Sequence, residues 1–249
     1  MSGHSKWSQI KRQKGAADAK RGQLFTKLSR ELSLAVREGG DNPDMNPRLR
    51  LALQRARDNN MPMDSIERAM KRGAGGTEGA SLVEANFEGY GPGGVAILLV
   101  ALTDNRNRTV SEVRNVLTRG GGSMGEVGCV AWNFQSKGVI IVEAADAEEL
   151  ALFAIDAGAE DVKVIDGSVE IYTSPEDLET LRKALEEKEL TVVSAELAMV
   201  PNSTMMLDQK AALTTLRLLD RLEELDDVQR VFTNADFPDE ALEQYRTQS

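Results

Sequence analysis

The hydrophobic period of this chain changes once, across GAGGTEGAS (Gly73 to Ser81), and that change limits the folds open to it. Before it, apolar residues recur every three to four positions, the spacing of one helix face; after it, runs alternate or stay apolar over five to eight residues, the spacing of strands. A helical part followed by α+β parts is the expectation, with the glycine-rich stretch as a flexible linker. At 249 residues the chain is long enough for more than one hydrophobic core.

Within the first part, Leu24, Phe25, Leu28, Leu32, Ala35 and Val36 form one helical stripe, which Gly39 and Gly40 end. In NPRLRLALQRARDNN, Asn46 is placed to cap and Pro47 to take the first helical position. Leu49, Ala52, Leu53 and Ala56 then face inward, and Arg48, Arg50, Arg55 and Arg57 occupy the other faces. A third helix starts at Pro62, buries Ile66, Ala69 and Met70, and stops at Gly73.

Beyond the linker, strands are expected at Leu82 to Phe87, Val95 to Leu102 and Val130 to Phe134. A helix is expected from Val110 to Thr118, with Thr109 and Glu112 in the capping-box arrangement. KGVIIVE, AEELALFAIDAG, DVKVID, SVEIYT, PEDLETLRKALEEK and LTVVSAELAMV then give the order βαββαβ, that of a ferredoxin-like sandwich. A helix from Gln209 to Leu225 and a strand from Val228 to Phe232 return the chain to the earlier elements. The predicted fold is α+β and multidomain: an N-terminal three-helix domain, then two ferredoxin-like α+β domains, one inserted in the other. The expected divisions are a basic arm at 1–23, the helical domain with its linker at 24–80, an α+β domain at 81–135 and 205–240, and the insert at 136–204.

Charge is divided along the same line. Residues 1–80 hold sixteen Lys and Arg against nine Asp and Glu, and the remainder fourteen against thirty-one. A basic head on an acidic body is what contact with nucleic acid at one end produces, because Lys and Arg displace condensed counterions from phosphates. Lys6, Lys11, Arg12, Lys14, Lys20 and Arg21 lie in an arm too poor in apolar residues to order itself, and Trp7 among them can stack on an unpaired base. With Lys27 and the four arginines of the second helix they form the candidate nucleic-acid surface.

Other motifs read as structure. Gly89, Gly91 and Gly94 spell G-x-G-x-x-G, but VAILLV follows them where a dinucleotide site needs a helix N-terminus, so a hairpin turn is expected. In RGGGSMGEVG, Glu126 stands where a phosphate-binding loop needs Lys, leaving a mobile loop as the expectation. Arg106 and Arg108, just before a helix start, run against its dipole and call for an anion, either Asp104 or Glu112 within the protein or a ligand. Tyr90 and these two arginines are the candidate contacts for an anion or partner. The carboxylates of 143–249 fall on solvated helix faces. His4 and Cys129 are one of each kind, too few for a zinc site or a disulfide framework and a poor basis for a nucleophilic pair. No cofactor, metal or catalytic residue is expected. Nor does a run of eighteen apolar residues occur, which points away from a membrane span and toward the cytoplasm.

GHSKW, DAKRGQLFTKLSREL, NPRLRLAL, NNMP, IERAMKRG, FEGYGPGG, LTDNRNRT and VSEVRNVL, in that order, resemble the YebC/PmpR family over nearly the whole chain. The resemblance implies three domains, one helical and two α+β, and no enzymatic activity. It also implies a regulator of gene expression, either DNA-binding and acting on transcription or ribosome-associated and assisting translation. A flexible basic arm with one aromatic suits RNA, and no helix with an Asn, Gln and Arg face stands out. The alternatives are a protein-interaction module without nucleic-acid contact, in which the acidic domains or basic head meet a protein, and an enzyme using Arg106 and Arg108.

Overall fold

The structure, a computed structural model, describes residues 18–75, 82–143, 146–165 and 168–248. The chain forms two compact units, one of residues 1–56, 60–134 and 201–249, the other of 57–59 and 135–200.

The first unit opens with three helices, α1 (Asp18–Gly39), α2 (Pro47–Asp58) and α3 (Met63–Ala74). The polar stretch before Leu24 continues α1 backward, because nothing in DAKRGQ breaks a helix once its apolar face is docked. Leu28, Leu32, Ala35, Val36, Leu49, Ala52, Leu53, Ala56, Met61, Ile66 and Ala69 make one core. Each large side chain buried there contributes about 1.5–3 kcal/mol. Asn46 links two helices. Its Oδ1 accepts from the Leu49 N–H at 3.0 Å, capping α2, while its Nδ2 donates to the carbonyls of Ala35 and Gly40 at 2.8 Å, closing α1.

Gly73 lies inside α3 rather than at its end. A Cβ there would stand 2.4 Å from the carbonyl oxygen of Ser33, so the glycine sets how closely α3 approaches α1. Beside it, the Ser33 hydroxyl donates to the Ala69 carbonyl at 2.7 Å.

The sheet of this unit is antiparallel, ordered β3-β1-β2-β9, from β1 (Val83–Tyr90), β2 (Ala96–Thr103), β3 (Ser123–Met124) and β9 (Val228–Thr233). Ile97, Leu99 and Ala101 pack with Val113 and Leu117 of α4 (Arg106–Arg119) and with Leu216, Leu219 and Leu222 of α7 (Gln209–Glu223). Ala96, Leu98 and Leu102, on the other face of β2, are buried as well, which is why the strand reads as a continuous apolar run rather than an alternation. Polar side chains join the helices to the sheet: Arg30 pairs with Asp227 at 2.9 Å, Arg48 with Glu84 at 2.6 Å and Arg230 with Glu31 at 3.5 Å. Beyond the second unit the chain adds β8 (Met205–Met206), paired in parallel with β10 (Ala235–Asp236), and α8 (Asp239–Gln248), whose Ala241, Leu242 and Tyr245 enter the core.

In the second unit β4 (Phe134–Glu143), α5 (Ala147–Asp156), β5 (Asp161–Ile165), β6 (Ser168–Thr173), α6 (Leu178–Glu187) and β7 (Thr191–Pro201) follow the order βαββαβ. Their sheet order β5-β6-β4-β7 is that of a ferredoxin-like sandwich. Asp146 caps α5, accepting from the N–H groups of Glu148 and Glu149 at 3.1 and 3.0 Å.

Two local expectations change. Val130 to Phe134 is not a strand: Ala131–Asn133 form a turn of 3-10 helix and β4 begins at Phe134. The glycine-rich RGGGSMGEVG is paired, with Ser123 and Met124 in register with Tyr90 and Gly89. Glycine permits this approach, since a Cβ on Gly122 would lie 2.4 Å from the Tyr90 carbonyl oxygen.

Gly73→Ala is expected to destabilise the protein by about 1–3 kcal/mol, because the clash with the Ser33 backbone outweighs the roughly 1 kcal/mol gain in helix propensity. Urea denaturation checks this, and an unchanged or raised midpoint would show that α3 is free to move away.

Candidate nucleic-acid interface

The turn from β2 into α4 is built on one buried carboxylate. Asp227, with 3% of its side chain exposed, sits just before β9. Its Oδ2 accepts from the Thr109 and Thr103 hydroxyls at 2.7 and 3.0 Å and from the Arg108 guanidinium at 2.8 Å, and its Oδ1 takes Arg30 at 2.9 Å. Burial alone would raise the pKa of this carboxyl. The hydrogen bonds from Arg108, Thr109 and Thr103 outweigh it and hold the group below the ordinary 3.8. The N-cap of α4 is Asn105, whose Oδ1 accepts from the Arg108 N–H at 3.1 Å. Thr109, expected to be the cap, lies buried inside the helix. Asn and Thr are both strong cap residues, and the Asp227 hub decides between them by taking the Thr109 hydroxyl.

A second buried carboxylate shapes the hairpin end. The chain turns between β1 and β2 through Gly91–Val95, where the Gly91 N–H donates to the Val95 carbonyl at 2.8 Å, so the G-x-G-x-x-G is a hairpin tip. Glu88, one residue before Gly89, points to the loop after β3. It accepts from the N–H groups of Gly128, Val130 and Ala131 at 2.6, 2.7 and 2.8 Å. Burial would raise its pKa, but the three backbone donors bring it below the ordinary value. Cys129 in that loop is shifted up, first by burial and then by the Glu88 charge, so its thiol is not an activated nucleophile. Its carbonyl accepts from the Tyr90 hydroxyl at 3.1 Å and from the Trp132 indole N–H at 3.0 Å.

The expected site residues fall into three groups. Lys6, Trp7, Lys11, Arg12 and Lys14 lie outside the described residues, as does the side chain of Lys20, whose backbone is in α1. Others are held internally. Lys27 donates to the Glu223 carbonyl, and Arg48 pairs with Glu38 and Glu84 at 2.8 and 2.6 Å. Arg50 donates to the carbonyls of Pro43 and Asp44 at 3.1 and 3.0 Å, Arg55 pairs with Glu31 at 2.9 Å, and Arg108 joins Asp104 and Asp227 at 2.8 Å. The third group is exposed: Arg21, Arg57 and Arg106 have no ion pair or side-chain hydrogen bond among the described residues, and Tyr90 is partly exposed with its hydroxyl fixed.

Reading the sequence missed four features. Asp227 and Glu88 act through partners far away in the chain. Trp132 falls within an expected strand, yet it stands 73% exposed, with Val127 beside it in the same loop at 85%. Contrary to expectation, a helix with an Arg and Asn face is present. In RNRTVSEVRNVLTR the outward positions of α4 include Asn107, Ser111, Arg114, Asn115, Thr118 and Arg119, with no carboxylate; Glu112 is half-buried. Starting the helix at Val110 leaves Arg106 and Asn107 outside it and hides the face. Among the described residues no cluster of His, Cys, Asp and Glu could hold a metal ion, and no helix is long and apolar enough to cross a membrane.

A three-helix segment, an antiparallel sheet with exposed arginines and aromatics at its hairpin end, and a ferredoxin-like sandwich together define a composite α+β protein. The chain belongs to the TACO1/YebC family. Residues 5–76 match the family model for the TACO1/YebC N-terminal domain, and residues 82–235 that for its second and third domain. A "Probable transcriptional regulatory protein" of Dehalococcoides mccartyi is 57% identical over 251 residues, covering all of both chains. Another so named, from Halothermothrix orenii, is 52% identical over 98% of each chain. A crystal structure of a conserved hypothetical protein, Aq1575, from Aquifex aeolicus superposes with a TM-score of 0.82 at 48% identity, covering 89% of this chain and 92% of that one.

Replacing Asp227 by Ala is expected to cost about 3–5 kcal/mol, because it strands Arg108 and two hydroxyls without their shared acceptor. Because its folded pKa is depressed, Asp227 gives its full contribution above the unfolded value and loses it as pH falls through the folded one. Wild-type stability should therefore drop below about pH 4 more steeply than that of Asp227→Asn, as measured by urea midpoints across that range. Glu88→Gln should cost about 1–3 kcal/mol and speed amide exchange at Gly128, Val130 and Ala131. Unchanged exchange there would show that the loop holds without the carboxylate.

Proposed function

We propose that this protein is a non-enzymatic, nucleic-acid-binding regulator of gene expression. The basic arm, with Lys6, Lys11, Arg12, Lys14 and Lys20, supplies the phosphate contacts and Trp7 a stacking contact. The observation that carries this reading is the charge division of the chain, refined by where the structure ties charges down. Of the sixteen cations in residues 1–80, Lys27, Arg30, Arg37, Arg48, Arg50, Arg55 and Arg68 have acceptors within the protein. The cations available to a partner are thereby concentrated in the arm, joined by Arg21 and Arg57 on the helices. Lys27, Arg48, Arg50 and Arg55 serve to hold the helices from which the arm extends.

The names of the relatives point to transcription, and a short basic arm bearing one aromatic favours RNA, since irregular RNA presents unpaired bases together with phosphates. We favour RNA, in the setting of the ribosome or a messenger in the cytoplasm, over a DNA operator. The acidic sandwich of the second unit repels nucleic acid and is left to position the protein or meet a protein partner.

Binding to fluorescein-labelled RNA and DNA should weaken linearly in log–log form as salt rises. Replacing Lys11, Arg12 and Lys14 together by Ala should lower the slope by roughly 2 for single strands, at about 0.7 for each phosphate no longer neutralised. Crosslinking in cells followed by sequencing then separates the two settings. Ribosomal or messenger RNA reads support the reading, and enrichment of promoter DNA alone overturns the choice of RNA. A triple variant that binds both nucleic acids as tightly as wild type would sink the assignment to the arm.

A further inference from the structure

The hairpin end of the first unit carries two aromatic side chains pinned to one oxygen. The Tyr90 hydroxyl and the Trp132 indole N–H both donate to the carbonyl of Cys129, at 3.1 and 3.0 Å, although the two residues come from different segments. Their polar tips are thus held within hydrogen-bonding reach of a single atom while Trp132 remains 73% exposed and Tyr90 39%. The loop presenting Trp132 is in turn fixed by Glu88 through three backbone N–H groups, so the rings are oriented before any partner arrives.

Beside this pair lies the C-terminal end of α4. Gly122 packs against the Tyr90 carbonyl and the Gly121 backbone against Pro92, which places Arg119 next to the hairpin tip. Arg114 follows about 7.5 Å back along the helix axis, at 1.5 Å per residue. Both are exposed and without an ion pair among the described residues, on a helix face free of carboxylates in a chain whose net charge is −10. Rigid exposed aromatics flanked by arginines match single-stranded nucleic acid, whose bases offer π-faces and whose backbone offers anions. Duplexes hide their bases in the stack. Glu126, exposed on the Trp132 loop, works against phosphate at that point, which leaves the rings to the bases and the α4 face to the backbone.

We infer that Tyr90 and Trp132 form a stacking platform for unpaired bases of single-stranded RNA, with Arg114 and Arg119 holding the adjoining phosphates. This second contact surface, separate from the arm, rests on the nucleic-acid reading above.

The chain holds two tryptophans, so in a Trp7→Phe background Trp132 is the single indole reporter. Titration with a ten-nucleotide oligoadenylate RNA should quench its fluorescence saturably, and a blunt RNA duplex should not. In anisotropy with the same labelled RNA, Trp132→Ala and Tyr90→Ala should each bind about tenfold more weakly, and Trp132→Tyr should keep most of the affinity. Arg114→Gln with Arg119→Gln should lower the salt slope by roughly 1.4. Unchanged thermal midpoints, expected for exposed side chains, keep these losses distinct from unfolding. If RNA binds by anisotropy but leaves Trp132 unquenched and Trp132→Ala binds as wild type does, the platform is wrong while the arm reading stands. If no RNA binds at all, both fall. Equal quenching by the duplex, or tighter binding of single-stranded DNA than of RNA of the same sequence, overturns the occupant proposed here.

Discussion

A carboxylate that is almost fully buried must be met by donors on every side, and at Asp227 those donors come from three separate parts of the first unit. Arg30 belongs to α1, Thr103 to the end of β2, and Arg108 and Thr109 to the first turns of α4. Removing the group from water costs several kcal/mol, which only a complete set of partners repays. The helices, the sheet and α4 therefore have to be in place together. The position of the α4 face, and of the hairpin end that α4 leads into, follows from this one constraint.

Glu88 plays a comparable part on a smaller scale. A loop of six residues with two glycines would ordinarily sample many conformations, at a cost of about 1–2 kcal/mol per residue to fix. A carboxylate accepting three of its N–H groups supplies the compensation, and the geometry presents Trp132 outward instead of letting it collapse onto the apolar core. An indole left 73% in water is costly for folding alone, and the hydrogen bond to Cys129 gives it a fixed direction.

Periodicity makes much of this fold legible. The stripe from Leu24 to Val36, the Asn46-Pro47 helix start and the βαββαβ order each follow from residues close together in the chain, and the apolar run after Gly94 is enough to turn a nucleotide-like motif into a hairpin. Interactions spanning long separations are not legible. Arg48 and Arg55 read as a phosphate-facing set because their partners Glu84 and Glu31 lie on other elements, where no local pattern brings them together. The choice between Asn105 and Thr109 as cap is decided by Asp227, more than a hundred residues later. That single misplaced cap shortens a helix by one turn and conceals its Arg and Asn face.

The structure thus sorts arginines by function in a way composition alone does not. Where a carboxylate or carbonyl lies within 3 Å, as for Arg30, Arg48, Arg55 and Arg108, the guanidinium acts as internal fastening, and its planar fork lets one side chain join two elements at once. Arg114 and Arg119 differ: they stand on a helix whose inward face is already satisfied by Val113 and Leu117, so packing does not require them to be charged. An acidic protein gains solubility from its carboxylates and nothing structural from cations that fasten nothing. Such cations, beside aromatic rings fixed to one carbonyl, are explained by an anionic, base-bearing partner better than by the fold they decorate.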